Sequence, residues 1–164
     1  MHHLHFGFSY IGLLFLLMLF IPNLIWVKFK PINYDKEAES ENKVFLFLER
    51  TGEVLVTSLV LVFDDFNIKS IEYWSLFLLF AFIIMVLYEL YWLRYFLSKR
   101  TMNDFYCRFL GIPIPGATLP VLAFILLSLY GKNIFLFLAT ILLGIGHIGI
   151  HIGHYKRMKK SSTA

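Results

Sequence analysis

Three histidines near the end of the chain, His147, His151 and His154, recur at intervals of four and three residues. An α-helix gathers them onto one stripe about 60° wide. A His-x3-His pair on a helix can offer two imidazoles to a single metal ion. Two histidines with one carboxylate and a water suit zinc, whereas additional carboxylates suit a di-iron arrangement. Carboxylates that sit within apolar stretches, and so could complete such a site, are Glu49, Glu53 and Glu89. On this reading His147, His151, His154 and Glu53 are the metal ligands, and the expected cofactor is zinc or iron. Glu53 and Glu89 are then the catalytic carboxylates, and the metal activates a bound water. Ile148 stands where a zincin helix carries its general-base Glu, so the base has to come from another helix. Bis-histidine haem does not suit the chain, because the remaining histidines, His2, His3 and His5, lie at its opposite end.

Two other readings use the same residues. Glu53, Glu89 and His147 could pass protons through a small ion- or proton-coupled transporter, since such chains of ionisable groups occur in pumps and carriers. Alternatively, the polar groups only specify how helices pack, and the chain is an accessory, assembly or immunity-type membrane protein. Gly146, Gly149 and Gly153 fall on the side of the helix away from the histidines, and small residues at that spacing let helix backbones approach closely. Asn23 beside Pro22 is placed to take up a carbonyl that the proline leaves unbonded.

These residues must be positioned by membrane-spanning helices. Of 164 residues, 59% are hydrophobic, 18% aromatic and only 16% charged, and the mean hydropathy is +0.70. That excludes a disordered chain, and the single Cys107 excludes a disulfide scaffold. Crossing the hydrocarbon core takes about 20 residues of helix, and five stretches qualify, at about 6–27, 44–63, 73–93, 112–130 and 133–155. Strict alternation, which a membrane barrel needs, is absent. The expected fold is therefore an all-α polytopic membrane bundle of five helices, with residues 1–164 forming one integral membrane domain. Short links predict antiparallel neighbours packed in sequence order, so that the second and third helices touch. Gly131-Lys132 turns the last two into a hairpin, and Pro113, Pro115 and Pro120 make the start of the fourth irregular. Tyr88, Tyr91 and Tyr95, with Trp74 and Trp92, read as belt and packing residues.

Basic residues set the direction. Of 15 Lys and Arg, only Lys69 and Lys132 fall on one side of the expected spans. Lys28, Lys30, Lys36, Lys43, Arg50, Arg94, Lys99, Arg100, Arg108, Lys156, Arg157, Lys159 and Lys160 fall on the other. Positive charge marks the cytoplasmic side, so the N-terminus is expected outside and the C-terminus in the cytoplasm. The first helix is expected to stay as a signal anchor rather than be cleaved. Glu49, Glu53, Glu89 and all three late histidines then share the cytoplasmic half of the bilayer. The net charge of +4 follows from this asymmetry and from contact with lipid headgroups, and calls for no nucleic acid. The expected partners are the bilayer itself, a lipid or membrane-embedded substrate, or a partner membrane protein. A composition rich in Phe, Ile, Leu, Lys and Asn suits an AT-rich genome and a bacterial plasma membrane.

Overall fold

The computed structural model describes residues 4–32, 34 and 41–161, and of Ser161 the backbone alone. His2, His3, Lys36 and most of the predicted first loop, 33–42, lie outside the described residues. The chain is all-helical, with α1 Tyr10–Lys28, α2 Lys43–Val62, α3 Ser75–Leu97, a short α4 Met102–Tyr106, α5 Pro115–Tyr130 and α6 Ile134–Ser161. Three of these, α1, α3 and α6 up to Lys160, are long and apolar enough to cross a membrane. Helix α5 is equally apolar but has only 16 residues, and α2 carries Glu49, Arg50 and Glu53 within its 20.

Local sequence explains where the helices start. Ser9 and Asn42 each accept a hydrogen bond from a first-turn N–H, from Gly12 and Val44, and Asn133 accepts from Leu136. Thr101 and Asp104 form a capping box that starts α4. Ile114 adopts a left-handed conformation, φ 48°, and Pro115 follows at the first position of α5, where its missing N–H costs nothing. The Thr118 hydroxyl donates to the Pro113 and Ile114 carbonyls, so this irregular entry keeps its polar groups satisfied. In α1 the Asn23 side chain donates to the Leu19 carbonyl at 2.7 Å and to the Tyr88 hydroxyl at 2.9 Å, taking up backbone near Pro22 and tying α1 to α3.

The packing order departs from sequence order. Helix α2 lies along α6, α3 lies along α5, and α5 and α6 form the expected hairpin, while α1 makes lighter contacts with α2 and α3. The expectation that α2 and α3 are packed neighbours is therefore corrected. Small residues explain the pairing actually adopted. A Cβ on Gly146 would come within 2.4 Å of the Glu49 backbone nitrogen and 2.6 Å of the Phe45 carbonyl oxygen. A Cβ on Gly52 would lie 2.5 Å from Leu143 Cα. Only glycine on both helices lets their backbones meet this closely. The link between α2 and α3 is long enough, at 63–74, to carry the chain away.

The core is aromatic. Phe15, Phe66, Met85, Phe124, Leu127 and Leu136 are fully enclosed, together with Tyr88, Tyr91 and Tyr95. These tyrosines are interior residues rather than belt residues. The hydroxyls of Tyr91 and Tyr95 donate to the carbonyls of Phe105 and Phe29, both at 2.8 Å. At the far end the chain before α1 pairs with the end of α2 through Gly7 N to Val62 O and Ser9 N to Leu61 O, each 3.0 Å.

Candidate functional site

The close α2–α6 contact brings the late histidines against α2. Glu49, buried on α2, brings its Oε1 against Nδ1 of His147. One turn further, the His151 ring lies edge-on to that of His147, with centroids 4.6 Å apart, and then 5.9 Å from that of His154. His154 is fully buried, its Nδ1 lying 2.8 Å from the Tyr106 hydroxyl and its Nε2 3.1 Å from Glu41 Oε1. His154 is thus an interior residue although Tyr155 and Lys156 adjoin it.

Short α4 closes the cluster. It places Phe105 and Tyr106 against His151, with centroids 6.1 and 5.8 Å away, and Tyr34 stands edge-on to His154. Burial pushes the Tyr106 phenol far above its ordinary value, so it stays protonated and donates to His154 Nδ1. The His154 Nε2–H then faces the Glu41 carboxylate. Burial, reinforced by the Glu49 charge, raises the Glu41 carboxyl above its usual range. His151 is nine-tenths buried, and its Nδ1 has no hydrogen-bond partner.

The other expected site residues lie elsewhere. Glu53 is one turn along α2 from Glu49 but pairs with Arg50, Nη1 to Oε2 3.0 Å, on a side of the helix that α6 leaves open. Glu89, on α3, buries its Oε1 without a partner. The Arg94 guanidinium, a natural partner for Glu89, donates instead to the carbonyls of Asp104 and Arg108. Among the described residues, the ligand atoms that gather within 4.8 Å of one another belong to His5, Asp64 and Asp65 at the opposite end. There Lys69 Nζ already sits 2.8 Å from Asp64 Oδ1, and His5 Nδ1 sits 2.8 Å from Asp65 Oδ1. Tyr106 and Glu41, which complete the histidine cluster, stand in links where no periodic pattern marks them.

The chain matches no family model, no curated protein and no solved structure. Its function has to be argued from the site.

Proposed function

We propose that the protein is a non-enzymatic accessory membrane protein, of assembly or immunity type, in which the histidine cluster locks helices together. It spans a plasma membrane five times, with its N-terminus outside and its C-terminus in the cytoplasm. For α2 length supports the crossing, while for the shorter α5 the support is its apolarity and its hairpin with α6. Helix α2, at 20 residues, is about 30 Å long and α5, at 16, about 24 Å. The basic residues around α3, α4 and the end of α6 support a cytoplasmic C-terminus.

The observation that carries the reading is where the histidine nitrogens and rings are engaged. His147 is committed to Glu49, and His154 to Tyr106 and Glu41, while Phe105, Tyr106 and Tyr34 pack around the rings. Each contact joins a different segment to α6. Together they act as cross-links inside the bundle. Such polar contacts between transmembrane helices contribute about 0.6 kcal/mol on average and up to about 1.7.

A second reading is favoured by one observation. A carboxylate on Nδ1 is what commonly orients an imidazole that binds a metal through Nε2, and Glu49 on His147 has that form. His151, adjacent and with its Nδ1 unbonded, is the second ligand in this alternative, and the metal is zinc or iron. One preparation separates the readings. Protein purified without chelators and reconstituted into proteoliposomes is assayed for bound metal and for proton flux under a pH gradient. The accessory reading expects neither. Stoichiometric metal supports the enzyme reading, and flux a transporter.

A further inference from the structure

Helix α2 presents two faces of opposite character. Glu49, Gly52, Val56 and Val60 are buried, and Glu49 and Gly52 lie directly against α6. On the other side Phe47, Arg50 and Val54 are exposed and Thr57 is half-buried, following one another at intervals of three, four and three, which is the seam spacing of paired helices; Leu61, one turn further, is already packed against the core. Arg50 is 70% exposed and Glu53, beside the seam, 45%. Phe47 and Val54 next to them are two-thirds exposed. With α2 crossing the bilayer as proposed above, Arg50 and Glu53 lie about 10 and 15 Å into a helix about 30 Å long. That puts an ion pair on the outside of the bundle at the depth where charge is most costly in lipid.

We infer that this face of α2 is covered by a second copy of the same chain in a two-fold dimer. The charge pattern selects that partner. A two-fold axis along the membrane normal sets the two α2 helices side by side and parallel, with Arg50 of each beside Glu53 of the other. One self-complementary patch then turns two exposed ion pairs into a closed four-charge ring. Val54 and Thr57, both compact, let the helices approach between the charges. The inference rests on the proposed crossing of α2, and the test separates the two.

Wild-type protein in lipid nanodiscs or vesicles is counted by single-molecule photobleaching and is expected to be dimeric. In a Cys107→Ser background, Thr57→Cys is expected to form a disulfide-linked dimer on mild oxidation in the membrane. Adding Arg50→Glu, which sets like charges together, lowers the cross-linked fraction about tenfold. Arg50→Glu with Glu53→Arg restores it. A monomeric wild type, with Thr57→Cys inaccessible to a membrane-impermeant maleimide, overturns the dimer while the crossing of α2 stands. Labelling of Thr57→Cys by that reagent in sealed vesicles removes the crossing, and the dimer argument with it. A cross-link unaffected by Arg50→Glu overturns the role assigned to the charges and with it the reason for a second copy.

Discussion

His147 on α6 meets the Glu49 carboxylate on α2 at the point where Gly146, the preceding residue, lies against the Glu49 backbone. The contact between imidazole and carboxylate therefore depends on a backbone approach that only glycine permits. Separating the helices by one methyl group would lengthen both contacts together.

Glu49→Ala leaves the partly buried His147 imidazole without its carboxylate. It is expected to destabilise the folded protein by about 1–3 kcal/mol. Glu49→Gln, which keeps an acceptor in place, is expected to cost less. A double-mutant cycle of Glu49→Ala with His147→Ala, read by denaturant unfolding in detergent, is expected to show a coupling of about 0.6–1.7 kcal/mol. Additive effects would mean that the pair contributes nothing to packing.

Glycine replacements should rank by what their Cβ meets. Gly146→Ala and Gly52→Ala drive a methyl into backbone, whereas Gly149→Ala meets the edge of the Phe45 ring at 3.0 Å, which can turn. The first two are expected to cost about 1–3 kcal/mol or more and the third less. Thermal unfolding followed by circular dichroism measures the order, and equal costs would contradict the α2–α6 contact described.

Tyr106→Phe removes the donor to His154 while keeping the ring. It is expected to lower stability by about 1–3 kcal/mol, since a buried ring nitrogen loses its partner. His154→Phe in the same background should recover part of that loss. The unfolding midpoints of wild type and the two variants test this, and no change in Tyr106→Phe would remove α4 from the lock.

Asp104 gives a pH dependence outside the membrane-spanning helices. The Thr101 backbone N–H, with its hydroxyl, holds the Asp104 carboxyl below its ordinary value of 3.8. A carboxyl lowered in the folded state contributes stability above its unfolded value and loses it as pH falls through the folded one. The start of α4 is expected to stay capped above about pH 4 and to fray below it. Amide exchange at Phe105 and Tyr106, compared between wild type and Asp104→Asn, should differ at pH 6 and converge in acid. Identical protection at both values would contradict the cap.

Part of this arrangement was legible in the sequence. Helical periodicity alone puts His147, His151 and His154 on one stripe, and the structure keeps their rings adjacent; the separate glycine face is kept only in part, since Gly146 and His147 both meet α2 at Glu49 and a Cβ on Gly153 would meet only Arg157 of its own helix. The choice between Glu49 and Glu53 was not legible. Both lie near one face of α2, and which of them meets α6 depends on a rotation fixed by Gly52 against Leu143. Link lengths suggested α2 beside α3, but close packing of small residues selected α6 instead. The mixed aromatic and charged run 104–110 reads as an interfacial segment, yet Phe105 and Tyr106 are buried; like Glu41, Tyr106 stands between the spans, where no periodic neighbours reveal which way a residue faces. Three spans are evident from apolar length, whereas α2, with its charged residues, and the short α5 sit at the margin of that criterion.

On the proposed function the histidine cluster holds helices together and does not hold a metal. Elemental analysis of detergent-purified protein, prepared without chelators, decides between the two. Wild type is set beside His147→Ala/His151→Ala, with the fold of each checked by circular dichroism. Far less than one zinc or iron per chain is expected in both proteins. About one metal per chain in wild type, lost in a folded double variant, would contradict the proposed function.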